Sequence, residues 1–247
     1  IVVTGTTSGV AIESAHFWNN GTVVIDTTLT DGNDTITINS ANNGHNNGNL
    51  TIDTGAGTDT INFAGELAVA GNVTLNSGGS ITTGGTANDI IASSLLAQAS
   101  TGIELDSTIA NLEATTLGGD ILIDNIGNLT IGNVSGSVNG VINNSPTGEI
   151  VINNQGSLTI STGFELVGAT GNVSLTTTGA GSDIAMSGNN ARVVSLSGDV
   201  DLDASGSVLL GVGASSGDVF GGGSIFIRAG VDVVVQGGTT VSARGTG

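Results

Sequence analysis

A glycine followed by alternating polar and apolar residues recurs along the whole chain, and it limits the fold more than any other feature. It appears as Gly48-Asn49-Leu50-Thr51-Ile52, Gly71-Asn72-Val73-Thr74-Leu75, Gly127-Asn128-Leu129-Thr130-Ile131, Gly156-Ser157-Leu158-Thr159-Ile160, Gly171-Asn172-Val173-Ser174-Leu175 and Gly198-Asp199-Val200-Asp201-Leu202, with looser copies at residues 21–25 and 223–227. Alternation over four or five residues is the signature of a strand with one buried face. The leading glycine marks a corner where φ can turn positive. The copies are regularly placed: Gly21, Gly48 and Gly71, and again Gly171, Gly198 and Gly223, succeed one another at intervals of roughly 25 residues.

A period of about 25 residues, with two or three short strands in each, is what one coil of a solenoid requires. No single repeat can bury its apolar face alone, but stacked repeats share a continuous core. The expected fold is therefore all-β: a right-handed parallel β-helix of roughly ten coils of about 25 residues, ~50 Å long at ~4.8 Å per coil. The whole of 1–247 reads as one solenoid domain. A rival antiparallel sandwich needs Asn-Gly or Asp-Gly hairpins between matched strands, and few of the candidates, such as Asn20-Gly21 and Asn139-Gly140, sit that way. Helix is disfavoured by the abundance of Gly, Thr, Asn and Ser; residues 93–99 read equally as a short helix or a strand corner. Of the large rings, Phe17, Trp18, Phe63, Phe164, Phe220 and Phe226, most are expected in the core, with Phe17-Trp18 as an end cap or exposed contact.

Charge excludes several functions. Against 21 acidic residues stand only Arg192, Arg228 and Arg244, a formal net charge of −18. Nucleic-acid binding needs a basic stripe with stacking aromatics, and a surface this acidic repels nucleic acid and anionic membranes. With no cysteine there is no disulfide framework or thiolate metal site. No apolar run approaches the ~20 residues of a membrane-spanning helix, so membrane insertion is not expected. The chain begins with Ile and is read as processed or as a piece of a longer protein.

Few motifs point to chemistry. Gly55-Ala56-Gly57-Thr58-Asp59-Thr60-Ile61 has the form G-x-G-x-D-x-I, and related stretches carry Asp31 and Asp34, Asp89 and Asp183. Asp34, Asp59 and Asp89 succeed one another at close to the coil period, so they can stack at one corner. These five aspartates are candidate Ca²⁺ ligands; the other reading is that they cap backbone N–H groups in turns. Asn49, Asn72, Asn128 and Asn172 hold the same place in the repeat and are candidates for a structural ladder of stacked amides. Catalysis finds little support. His16 and His45 are the only histidines, no G-x-S-x-G elbow occurs, and Asp199, Asp201 and Asp203 alternate along one face of a strand. The chain is not expected to be an enzyme.

Residues 55–61 resemble one RTX-type calcium repeat, and the flavour extends over residues 1–92. Residues 93–247, together with Gly71-Asn72-Val73-Thr74-Leu75-Asn76-Ser77, resemble filamentous haemagglutinin-type repeats; the carriers include Gly119-Asp120-Ile121-Leu122-Ile123-Asp124 and Gly198-Asp199-Val200-Asp201-Leu202-Asp203. The resemblance implies an exported, extracellular β-helix in a bacterial adhesin or surface fibre. On this reading the chain is a stiff structural or adhesive module. It would associate end to end through open coil ends or meet a host or matrix glycan or protein. Alternatives are a calcium-dependent binding module, an ice-binding protein using Thr22, Thr35, Thr37, Thr51, Thr60, Thr74 and Thr130, and a polysaccharide-processing enzyme.

Overall fold

The structure, a computed structural model, describes residues 2–7, 10–16, 21–28, 32–40, 48–84, 90–161, 166–188, 190–213 and 216–245. Among them there is no helix. From Val23 onward every strand pairs in parallel with strands one turn away, and the chain forms a β-solenoid of about 8 turns.

One column of strands runs through almost the whole stack: Thr35–Ser40, Thr60–Phe63, Ser80–Thr83, the start of Gly102–Thr116, Ile121–Ile126, Ile150–Gln155, Val173–Thr178, Val200–Ala204 and Ile225–Ala229. Its register places Ile36, Ile61, Ile81, Ile103, Ile121, Ile150, Val173, Val200 and Ile225 directly above one another. The alternation seen in the sequence puts this rail inside, and from Ile36 to Val200 its members are 0–1 % exposed. Turn length varies along the rail. Ile103 and Ile121 are neighbours on it, and so are Ile121 and Ile150, although the second turn uses over half as much chain again as the first. The excess leaves the stack at corners, which disturbs the ladder less than an insertion within a strand.

The cross-section changes partway along. In the early turns a single second column, formed by Val23–Asp26, Leu50–Asp53, Asn72–Ser77, Ile90–Ala99 and the end of Gly102–Thr116, carries two inward rails. These run from Val23 to Leu112 and from Ile25 to Ala114. Residues 93–99 thus lie in a strand. Beyond this point the rails separate: Leu112 stacks on Ile131, and Ala114 on Val141. Inward positions that flank a single residue, Glu113, in one turn stand well apart in the next, and residues 132–139 fill the gap. The later turns accordingly have a second column, Leu129–Ile131 to Val233–Val235, and a third, Gly140–Asn143 to Val241–Ala243. The third has its own rail of Val141, Val167, Val193, Val219 and Val241.

Glycines stack where turns pass closest. The N–H of Gly171 donates to the Gly148 carbonyl at 2.9 Å, and that of Gly223 to Gly198 at 2.7 Å. A side chain at Gly119, where φ is +68°, would collide with the Thr101 carbonyl. The apolar interior is one continuous cluster. Phe63 is fully buried within it, Phe220 is half-buried and Phe226 is 46 % exposed; Phe17, Trp18 and Phe164 lie outside the described residues.

The N-terminal end departs from the all-parallel expectation. Val2–Thr7 pairs antiparallel with both Val10–His16 and Thr35–Ser40, so one reversed strand extends the first column and Val10–His16, outside it, runs with the column again. The reason is chain length: Val2–Thr7 and Val10–His16 are separated by two residues, enough for a hairpin but far short of a parallel crossover.

Candidate functional site

Corner carboxylates and amides mostly bind backbone of the neighbouring turn. Asn49 Oδ1 accepts the N–H of Asn72 at 2.9 Å, Asn128 that of Ser157 at 3.0 Å, and Asn172 that of Asp199 at 2.9 Å. Asp120, Asp183, Asp199 and Asp218 accept from Glu149, Ser207, Ser224 and Thr240 at 2.6–3.0 Å. Each bond satisfies a donor at a corner, where the regular ladder is interrupted. Of the four predicted ladder asparagines, the structure joins Asn49 to Asn72. Asn128 belongs to the second column and Asn172 to the first, and each stacks on a different residue type.

Among the candidate calcium ligands, Asp34 and Asp59 come together. They precede the paired residues Thr35 and Thr60 on adjacent turns, and both are 1 % exposed. Asp59 Oδ1 accepts the Asp34 N–H and its Oδ2 accepts the Thr54 hydroxyl, each at 2.8 Å. Asp183 lies far along the chain in the second column, where its carboxylate accepts the Ser207 N–H. Asp31 and Asp89 lie outside the described residues, as does His45; of His16 only the backbone is described. Among the described residues no three His, Asp or Glu side chains converge to hold a metal ion. Of the candidate threonines, Thr35 stacks on Thr60 and Thr51 on Thr74, whereas Thr37 stacks on Asn62 and Thr130 on Thr159. They fall in different columns.

Two buried polar arrangements leave almost no mark in the sequence. Ser107, Asn125, Asn154 and Thr177 occupy one inward position on successive turns, all 0–3 % exposed. Asn125 Nδ2 donates to Asn154 Oδ1 at 2.8 Å, and Asn125 Oδ1 accepts from Ser107 Oγ and the Ile109 N–H. Asn154 donates onward to the Gly156 and Ser157 carbonyls. The amide stack thus lies inside the rod, and its one sequence signal is that Asp124-Asn125 and Asn153-Asn154 fall one turn apart. The second arrangement is Glu113, 1 % exposed, between Leu112 and Ala114 where the rails part. Its carboxylate accepts the N–H groups of Val134 and Ser135 and the Ser135 hydroxyl at 3.1, 2.8 and 2.6 Å. A buried carboxylate needs such donors, and here they pin the start of the inserted loop.

The outer faces carry the charge. Asp201 and Asp203, expected as a solvated face, are bridged by Arg228 at 2.6 and 3.2 Å. The hydrogen bond that Arg228 donates to Asp201, reinforced by the one to Asp203, holds the arginine pKa above its ordinary value. The Thr28 hydroxyl and N–H lower that of Asp26. Arg192 places its guanidinium over the Phe220 ring, 5.1 Å from the centroid. A depression beside it of about 230 Å³ is lined by Arg192, Val194, Leu196, Phe220, Ser242 and Arg244. The sequence held one signal for this depression: Arg192, Phe220 and Arg244 succeed one another at close to the repeat spacing.

The last turn is open. Val233, Val235 and Val241 are 48, 53 and 43 % exposed, while Val208, Leu210 and Val219, their partners one turn earlier, are 0 % exposed. Among the described residues, Ile225–Ala229, Val233–Val235 and Val241–Ala243 each have a neighbouring strand on one side only. These features define a β-solenoid protein. Comparison of the chain with known protein families, with curated proteins and with solved structures finds no match.

Proposed function

We propose that this chain is a stiff structural and adhesive rod of a bacterial cell surface or extracellular fibre, extended end to end by stacking further turns of the same kind on its last one. The exposed final turn carries this reading. Its inward valines repeat the pattern of the turn beneath, and its strand edges offer unpaired donors and acceptors to another strand. A parallel stack resists bending because nearly all backbone groups pair along the axis. The interior polar groups are hydrogen-bonded between turns and to corner carbonyls rather than gathered in a cleft, as a load-carrying body needs and a catalytic one does not. Light scattering and negative-stain microscopy of the full chain test the reading. Rods that lengthen with concentration, and are shortened to single units by Val233→Asp together with Val235→Asp, are expected. Short monomers at every concentration would remove end-to-end assembly.

A further inference from the structure

We propose that the depression between Arg192 and Arg244, on the outer face of the third column, binds a single acidic sugar: a pyranose carrying one carboxylate. Such a site is independent of the rod reading, because it is lined along the side of the rod by residues of three successive turns, Val194, Phe220 and Ser242 being in register.

The charge pattern singles this place out. The chain has three basic residues. Arg228 is neutralised by Asp201 and Asp203. Arg192 and Arg244 have no ion-pair partner among the described residues, and both line the same depression. The acid in register with Arg192 is Asp218, one turn on; it keeps its charge while its Oδ1 accepts the Thr240 N–H at 2.8 Å, and it is not among the residues that line the depression. In a protein of net charge −18, two arginines without an ion-pair partner thus line one concavity. Arg192 is held in place by its stack on Phe220, so less freedom is lost when it engages a ligand.

The shape and floor narrow the ligand class. A strand-like peptide needs free backbone groups, but Ala191–Ser195 and Gly217–Gly221 are paired on both sides, and the free edge of Val241–Ala243 points along the axis, in the hydrogen-bonding direction, rather than outward with the side chains that line the depression. A polyanion would lay further charges along the acidic outer faces, within the ~8–10 Å over which charge is felt at ordinary salt. A bare phosphate would leave Val194, Phe220 and Leu196 in contact with water; Leu196 is 71 % exposed. A sugar acid matches each part. Its carboxylate takes the guanidinium fork, its C–H face covers the apolar floor, and its hydroxyls meet the Ser242 side. At about 230 Å³ the depression is below the ~300–1,000 Å³ of sites for larger ligands, which suits one ring.

The test is titration of the full chain with methyl glucuronide, methyl glucoside and acetate, followed by calorimetry or by NMR shifts of the Arg192–Ser195 segment. Methyl glucuronide should saturate with Kd of about 1 mM or tighter, with the glucoside and acetate each at least about tenfold weaker. Arg192→Gln and Arg244→Gln should each weaken glucuronide by about tenfold without moving the melting temperature, and Arg228→Gln should leave it unchanged. Glucoside binding as tightly as glucuronide, acetate binding as tightly, indifference to both arginine substitutions, or no saturation by tens of millimolar would each overturn the proposal.

Discussion

At the N-terminal end the first rail residue, Ile36, is 1 % exposed beneath a reversed strand. At the other end its counterpart Ile225 is only partly buried, and Val233 and Val235 are about half exposed. Both ends descend from one repeat. The difference lies in the neighbours of the terminal strands: the first column is met by one antiparallel strand with a second strand outside it, whereas the last turn has described neighbours beneath it only. The reversed strand satisfies the edge it covers, and Val10–His16 outside it, which runs with the column again, leaves that end an edge of its own.

The most direct challenge to this contrast is one substitution made twice. Val208 and Val233 are partners in the same column, 0 and 48 % exposed. Val208→Asp buries a charge and should cost at least about 4 kcal/mol, or prevent folding. Val233→Asp should cost less than about 1 kcal/mol in the isolated chain. Equal losses in thermal melts would mean that the last turn is covered in solution. Next in size, deleting residues 1–20 should uncover Ile36 and Ile38 and cost about 3 kcal/mol, measured by denaturant unfolding. No loss would mean that Val2–Thr7 and Val10–His16 do not cover that end.

Glu113 tests whether the two ends communicate. Glu113→Ala removes the acceptor for Val134 and Ser135 and should cost about 2 kcal/mol. In a stack whose units touch only their neighbours, the damage should also loosen the coupling between halves. Hydrogen exchange should then separate residues 50–110 from residues 150–240. A single, merely lowered transition would show one cooperative block. The smallest effect concerns the corner acids. If Asp34 and Asp59 serve as backbone caps, chelation leaves the melting temperature unchanged. A rise on adding Ca²⁺ would show that this corner holds a cation.

The rails were legible because inward residues such as Ile61, Ile121 and Val173 keep strict alternation behind a spaced glycine. The parting of the rails was not. Leu112-Glu113-Ala114 reads as one more alternating strand, and only the next turn reveals that its two inward residues diverge. Local alternation alone would therefore place Glu113 on the outward face. The four ladder asparagines failed to stack as one set for a related reason. Gly-Asn-apolar marks any corner, so an identical local pattern does not report which column it opens. The reversed start was hidden because the side chains of a strand do not report its direction, and only the two-residue connection between Val2–Thr7 and Val10–His16 does.

The unequal turn lengths bear on how such a chain can change over time. The short turn from Ile103 to Ile121 and the much longer one from Ile121 to Ile150 meet the same rail in register, so the interior is blind to how much polypeptide bulges outside it. An insertion at a corner is a local amendment: it alters the outline of one storey and leaves the floors above and below in place. A lineage built this way can redecorate its flanks repeatedly without ever renegotiating its centre.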